Sequence, residues 1–276
     1  ALHMLRADKL PEYPQFLFNY IHRFHLLNRP ASCISLSLSS WNYLMHTLLT
    51  ARSFRTLEIF ELNNIDAAEL TSEHVTKSLV AIFKHLRFIK TFSCSSWVHP
   101  ITIDLPFYTN VSLLHHVLFK KQIMPPRFPS QFKFPLFAHL YDFSRCTFTA
   151  QCLISLLRQL STIKTPFTLN LSDLMMPPND WTEFYNSLPS LPQLRTLREL
   201  NWSGNFISSE FLDRFGHYFF DNGGIYYFTF DRVYGSQQLD DLRQLFSIIG
   251  QNKLYGLSLC GSQEINFSGN FQGLAN

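Results

Sequence analysis

Side chains that can bind a partner recur between, or just after, regularly spaced apolar residues along most of the chain. They carry carboxylates, amides, hydroxyls, an imidazole and an ammonium group, which form hydrogen bonds or ion pairs. The set comprises His116, Lys120, Asp142, Asn170, Glu199, Asn201, Tyr227, Thr229 and Asp231. It is more acidic towards the C-terminal half, which suits a basic or amide-rich protein surface. The alternative is that these side chains only solvate an unused face.

Catalytic and metal-binding chemistry is not expected. The sequence contains no Gly-x-Ser-x-Gly, no Gly-x-x-x-x-Gly-Lys-Ser/Thr and no His-Glu-x-x-His. Asp240 and Asp241 are consecutive, so on a helix their carboxylates point in different directions. Neither the 5 cysteines, which lack CxxC spacing, nor the 11 histidines, which include His115-His116, supply paired zinc ligands. We therefore expect no cofactor, no metal and reduced thiols.

An apolar pattern positions the candidate binding residues. Leu197-x-x-Leu200-x-Trp202-x-x-Asn205-x-Ile207 fits the template L-x-x-L-x-L-x-x-(N/C)-x-L at every fixed position. We call the second apolar position of each copy its marker. Markers fall at Leu169, Leu200, Phe228 and Leu257, spaced by 31, 28 and 29 residues, with Tyr141 lying 28 residues earlier and weaker copies at Val117, Phe92, Phe60 and Leu36. Each copy predicts one strand of a parallel sheet.

The marker pattern also predicts which side chains share a surface. Apolar positions point into the core, so the residues between and just after them face the other side of the sheet. In the first copy these are Ser35, Ser37 and Ser39. With neighbouring strands about 4.8 Å apart, Asp142, Asn170, Glu199 and Asp231 are expected to form a ladder about 15 Å long.

The segments between strands show helical periodicity. Apolar residues recur with helical spacing at Val75, Leu79, Ile82 and Leu86; at Leu153, Leu156, Leu157 and Leu160; at Phe211, Leu212, Phe215 and Phe219; and at Leu239, Leu242, Phe246 and Ile249. Predicted N-caps are Thr71 or Ser72, Ser208 or Ser209, and Ser236. Each unit is therefore a strand followed by a helix, which buries its apolar side only by stacking on its neighbours.

This pattern resembles the leucine-rich repeats of the ribonuclease-inhibitor class over roughly residues 33 to 262. The resemblance implies an α/β solenoid, or horseshoe, with a parallel concave sheet, convex helices and about eight to nine irregular repeats. Phe, Trp and Tyr often replace Leu, and the Asn/Cys position is filled only at Cys146 and Asn205. Actin-regulator scaffolds of the capping-protein-linker type, GTPase-activating proteins for Ran and tropomodulin-like proteins share such repeats.

The ends of the chain differ from the repeats. Residues 1–4 have the appearance of a cloning scar, and residues 5–32 are expected to form a helical cap with apolar residues at Leu17, Ile21, Phe24 and Leu27. Residues 33–276 form the predicted repeat domain, interpreted as a piece of a longer protein. The Pro-rich stretch 125–130 is expected to be an irregular insertion within the array.

Composition limits the partners and the compartment. The net charge is +3, without runs of like charge, so nucleic-acid binding is not indicated. The 28 Phe residues are interpreted as core aromatics replacing Leu. No signal peptide or long apolar span is present, so membrane insertion is not expected. Of the four Asn-x-Ser sequons, Asn170 and Asn201 fall within predicted strands, which argues against glycosylation and favours the cytoplasm.

The expected function is therefore non-catalytic. We predict a protein-interaction domain, a cytosolic scaffold or regulator in cytoskeletal or small-GTPase signalling, whose oligomeric state the sequence leaves open. A GTPase-activating protein of the leucine-rich repeat type is one alternative, because such repeats can position a GTPase's own catalytic groups. An extracellular recognition receptor is the other.

Overall fold

The computed structural model describes residues 23–26, 34–51, 56–66, 68–97, 113–125, 135, 137–221, 224–233 and 243–260. The chain divides into two compact units, residues 1–142 and 143–276, each an α/β arrangement of parallel strands and helices. The α/β class expected from the sequence is confirmed.

The first unit contains seven described strands and two described helices. The strands are β1 (Arg23–Leu26), β2 (Ile34–Ser35), β3 (Ile59–Asn63), β4 (Ile65–Asp66), β5 (Thr91–Ser95), β6 (His116–Leu118) and β7 (Leu140–Asp142), and the helices are α1 (Leu38–Thr50) and α2 (Ser72–His85). The main sheet has the order β1-β3-β5-β6-β7, and β2 pairs with β4 separately. The register places Phe24, Phe60, Phe92, Val117 and Tyr141 side by side in one row.

The second unit contains four described strands and four described helices. They are β8 (Phe167–Asn170), β9 (Leu197–Asn201), β10 (Tyr227–Thr229), β11 (Gly256–Ser258), α3 (Ala150–Leu160), α4 (Pro178–Ser187), α5 (Leu212–Phe220) and α6 (Arg243–Gly250). Short 3₁₀ turns, Leu188–Ser190 and Ser209–Phe211, adjoin α4 and α5. The parallel strands follow sequence order, with Leu169, Leu200, Phe228 and Leu257 in one row.

The marker residues predicted from Phe60 onwards therefore lie in register within each unit. Those from Phe60 to Phe228 are at most 2% exposed. An apolar side chain at this position gains about 25 cal/mol for each Å² of apolar surface removed from water, so burial accounts for the apolar requirement. The marker position is buried in each of these strands, and burial requires an apolar side chain there. The spacing of apolar residues in the sequence therefore located the strands.

The prediction that the first copy, around Leu36, forms a strand of the main sheet is wrong. Leu36 lies just after β2, which does not belong to the main sheet, and Phe24 of β1 holds the place beside Phe60. The Ser37 side chain accepts a hydrogen bond from the Ser40 amide and begins α1, so neither Ser37 nor Ser39 can belong to a strand face. An N-cap hydroxyl satisfies a helical amide that would otherwise lack a partner, and this favours the helix.

The helical cap is also corrected where the structure describes it. Residues 23–26 form a strand, paired with β3, and not a helix. A segment this short fits both helical and strand periodicity, so pairing with a neighbouring strand decides between them. The rest of the predicted cap, 5–22 and 27–32, lies outside the described residues, as do residues 1–4 and all of the Pro-rich stretch 125–130 except Pro125.

The helices follow the predicted apolar spacing in α2, α3 and α5. Thr71 caps α2 by accepting a hydrogen bond from the His74 amide at 3.2 Å, as expected. Neither Ser208 nor Ser209 caps α5, because the 3₁₀ turn Ser209–Phe211 precedes this helix and Phe211 is its N-cap residue. The predicted cap Ser236 and the periodic residues 239 and 242 lie outside the described residues. Helices α1 and α4 lie in segments for which no periodic apolar set was identified from the sequence.

The second unit has an aromatic core around α4, β9 and α5. The Trp202 ring stacks on Phe184 with centroids 5.8 Å apart, and it also contacts Phe215 at 5.2 Å. Tyr185 stacks on Phe211 at 5.0 Å. Pairs of this kind stabilise by about 0.5–1.5 kcal/mol beyond the burial of their area. The interpretation of these aromatics as core residues is confirmed here.

A residue with left-handed backbone conformation follows the markers from Phe60 to Phe228 at a constant distance in sequence. The residues with φ between 51° and 67° are Asn64, Ser96, Lys121, Arg145, Asp173, Gly204 and Arg232. Each lies four residues after the marker of its own strand. Such a conformation is uncommon outside glycine, so its return at one position indicates the same turn after each of these seven strands.

Candidate binding surface

Two rows of side chains cross the second unit next to the buried markers. We call Thr168, Glu199, Tyr227 and Gly256 the Glu199 row, and Asn170, Asn201, Thr229 and Ser258 the Asn201 row, because the strand register pairs their members. The Thr168 hydroxyl donates to Glu199 Oε2 at 3.2 Å. Glu199 and Tyr227 are exposed, and Asn201 and Thr229 are partly exposed. These rows place five predicted binding residues, Asn170, Glu199, Asn201, Tyr227 and Thr229, on one surface.

The two asparagines of the Asn201 row shape the strand ends. Asn170 Oδ1 accepts a hydrogen bond from the Ser172 amide at 3.1 Å, and Asn201 Oδ1 accepts one from the Ser203 amide at 3.0 Å. Both asparagines lie within strands, as the sequence predicted for these sequons, and each is the last residue of its strand. Their side-chain carbonyl oxygens are therefore engaged in the turn.

Asp231 connects the ends of β10 and β11. Its Oδ1 accepts hydrogen bonds from the Ser258 hydroxyl at 2.8 Å and from the Cys260 amide at 2.6 Å. Its own amide donates to the Ser203 hydroxyl at 3.2 Å. The carboxylate predicted to contact a partner thus also fixes the local structure.

The predicted residues of the first unit have internal partners. Lys120 Nζ lies 3.0 Å from Asp142 Oδ2, and Asp142 is only 5% exposed. Its negative charge is therefore compensated by Lys120 and is not an open carboxylate for a partner. His116 Nδ1 lies 3.2 Å from the Thr91 hydroxyl.

His116 belongs to a group of three histidines. The His139 ring lies 5.3 Å from the His116 ring and 4.8 Å from the His115 ring, between centroids. Burial lowers the pKa of His116, and the neighbouring His139 and His115 lower it further. Burial also lowers the pKa of His115, with added effects from His139 and Lys90. These environments favour the neutral imidazoles.

The predicted acidic ladder is wrong as a single row. Asn170 pairs with Asn201, whereas Glu199 pairs with Thr168 and Tyr227. Asp231 lies two residues beyond the end of β10. The three residues occupy different positions relative to their markers, and parallel register aligns only equivalent positions. Asp142, the fourth member, pairs with Leu118 in the first unit.

A charged cluster at the left-handed turns was missed. Asp173 lies between two arginines, with Oδ2 at 3.8 Å from Arg145 Nε and Oδ1 at 3.3 Å from an Arg232 Nη atom. The Asp173 carboxylate lies across Gly204, where any Cβ would collide with it. The constant offset of four residues from each marker was the available sequence signal for this cluster.

An exposed pair of tyrosines adjoins Glu199. Tyr227 is 50% exposed and Tyr255 is 71% exposed, with their ring centroids 6.4 Å apart. Tyr227 was predicted from its place in β10. Tyr255 was missed because it falls between the fixed apolar positions of its copy, where the template does not specify a residue type.

The remaining sequence expectations concern cysteines, metals and membranes. Cys94 and Cys146 are buried, as expected, and together with Cys152 and Cys260 they are free thiols. Across the described ranges, no group of three or more His, Cys, Asp or Glu side chains is arranged to hold a metal ion. In the same part of the chain, every helix is too short or too polar to cross a lipid bilayer.

No protein-family model matches the sequence, and no curated protein matches it either.

Proposed function

We propose that this chain is a leucine-rich repeat solenoid of the ribonuclease-inhibitor-like class, and that it acts by non-catalytic recognition of a protein partner in the cytosol. The assignment as a repeat protein is supported by two features together, the row of buried markers and the left-handed turn that follows each of them. Within each unit the markers lie in register, and a left-handed residue follows at the same offset. A strand, a fixed turn and a helix in succession form the unit of such solenoids.

The exposed sheet surface supports protein binding. Parallel sheets in α/β proteins are usually covered on both faces. In the second unit, Glu199 and Tyr227 remain exposed on strands whose marker residues are buried. Tyrosine is enriched in protein interfaces, where it contributes apolar contact and a hydroxyl together. A scaffold or regulatory role follows from a recognition surface of this kind.

A charge reversal tests this function. Glu199→Arg places a positive charge in the Glu199 row, and the matched control is Glu69→Arg, which changes the net charge equally at an exposed residue of the first unit. Glu199 is preferred to Asp231, because Asp231 also holds the Cys260 amide. Both variants and the unchanged protein are immobilised, and proteins captured from a lysate are identified by mass spectrometry.

We expect at least one protein to be captured by the unchanged chain and by Glu69→Arg, but not by Glu199→Arg. If all three forms capture the same proteins, the Glu199 row is not the binding surface. Urea unfolding of each variant serves as the control for folding, because a surface substitution of this type changes the stability by only about 0.5 kcal/mol.

A further inference from the structure

The exposed aromatic side chains of the second unit are concentrated beside Glu199. We call Tyr226, Tyr227, Tyr255 and Glu199 the tyrosine patch. Among the described residues of this unit, the large hydrophobic side chains that are exposed are Met175, Tyr227 and Tyr255, so two of the three belong to the patch. Exposed aromatic area with a neighbouring carboxylate is the chemistry that recognises organic cations.

Gly256 sets the orientation of the Tyr227 ring. A Cβ at Gly256 would lie 2.8 Å from Tyr227 Cδ1 and 3.3 Å from Cε1. The ring therefore lies across the backbone of β11, which is possible only because residue 256 has no side chain. Tyr227 is nevertheless 50% exposed, so part of its side chain is open to a partner beside the neighbouring strand.

The patch already holds one guanidinium on an aromatic ring. Arg198 Cζ lies 5.4 Å from the centroid of the Tyr226 ring, and its Nη1 donates to the carbonyl oxygens of Arg195, Leu197 and Gly224 at 3.0–3.1 Å. These three hydrogen bonds position the Arg198 guanidinium near the start of β9. Its position shows that the spacing around Tyr226 accepts a stacked guanidinium.

Glu199 can provide the opposite charge for a second cation. Its Oε2 accepts from the Thr168 hydroxyl, which orients the carboxylate without neutralising it. Within the described ranges, Glu199 forms no ion pair. A cation placed beside Glu199 would also lie next to Tyr227, because the register makes these two residues neighbours on adjacent strands.

We propose that the tyrosine patch binds an arginine side chain of the protein partner, with the guanidinium stacked on Tyr227 and paired with Glu199. Tyr255, whose ring centroid lies 6.4 Å from that of Tyr227, borders the same site. Arginine fits better than lysine, because its planar group stacks on a ring and bonds a carboxylate at the same time. This inference rests on the proposed function and specifies the chemistry of the partner.

The test uses fluorescein-labelled peptides of alternating serine and arginine, with a serine–lysine peptide of equal length and charge as the comparison. Fluorescence anisotropy measures the dissociation constant for the unchanged protein and for Glu199→Gln, Tyr227→Leu and the control Glu69→Gln. We expect the arginine peptide to bind more tightly than the lysine peptide. Glu199→Gln and Tyr227→Leu should each weaken arginine-peptide binding by about threefold, the effect of one exposed ion pair or cation–π contact.

Several results would overturn the inference. Absence of arginine-peptide binding, equal binding of the two peptides, or unchanged binding by both patch variants would each exclude a guanidinium site here. If Glu199→Arg abolishes partner capture while the arginine peptide does not bind, the proposed function stands and only the arginine site fails. If Tyr227→Leu loses its folded circular dichroism spectrum, Tyr255→Ser replaces it with the same expectation.

Discussion

Asn205 gives the sharpest test of how neighbouring turns are held together. Its side chain is fully buried. Its Nδ2 donates to the Leu171 carbonyl oxygen at 2.6 Å, and its Oδ1 accepts from the Leu174 amide at 2.8 Å. One side chain thus satisfies two backbone groups of the turn that follows β8. The substitution Asn205→Ala leaves both groups buried without a partner.

The expected magnitude follows from those two groups. A buried donor or acceptor without a partner costs about 1–3 kcal/mol, so Asn205→Ala should lower the free energy of unfolding by about 2–6 kcal/mol. With a urea dependence of about 3 kcal/mol per molar, the midpoint falls by about 0.7–2 M. The matched control is Asn201→Ala, which removes one hydrogen bond at a partly exposed side chain and should cost about 1 kcal/mol or less.

Two measurements check this prediction. Urea unfolding is followed by the fluorescence of the four tryptophans, which include Trp202, buried three residues before Asn205. Hydrogen exchange at the Leu174 amide reports on the hydrogen bond itself, and we expect its protection to fall in Asn205→Ala only. Equal midpoints for the two variants, or undiminished protection of Leu174, would refute this account of the turn.

Three further substitutions test the turn and the titrating groups. Gly204→Ala adds a Cβ at φ 67° and against a neighbouring carboxylate, so it should destabilise by about 1–3 kcal/mol in urea unfolding, and an unchanged midpoint would contradict the strain. The hydrogen bond to Asp221 raises the pKa of His217 above 6.5; this contribution to stability, under about 1 kcal/mol, is complete below pH 6.5 and is lost as the pH rises through the folded pKa. Asp221→Asn should therefore lower the His217 pKa in an NMR titration, and an unshifted titration would exclude this pairing. Burial, followed by His139, lowers the pKa of His116 below 6.5, so stability is lost as the pH falls below 6.5 towards the folded pKa. His139→Gln should reduce the loss of urea midpoint between about pH 7.5 and about pH 5.5, and an equal loss would refute the repulsion.

Prediction from sequence succeeded where residue type follows directly from burial. Phe60, Phe92 and Val117 were placed as markers from their spacing, and all three are buried in one row. The prediction failed at Leu36, because a serine that caps a helix lies next to it. Local hydrogen bonding determined the structure at that position, and apolar spacing does not report it.

In the candidate site, too, some residues were predicted correctly from the sequence and others were not. Glu199 and Tyr227 were predicted as surface residues and are exposed, whereas Asp142 was predicted with them and is buried against Lys120. Glu199 and Asp142 both carry a carboxylate, so residue type alone does not distinguish them. Their exposure differs because it depends on which neighbour in the adjacent strand or loop reaches each side chain.

By itself the sequence determined the α/β class, the main-sheet strands from residue 59 onwards and the helices α2, α3 and α5, since each follows from a periodic burial requirement within a short segment. Only the tertiary structure decided that residues 23–26 form a strand, that Asp173 joins two arginines across Gly204, and that Tyr255 lies beside Tyr227. These contacts connect residues from separate segments of the chain. Their formation depends on strand register and on packing between segments, which local sequence periodicity does not encode.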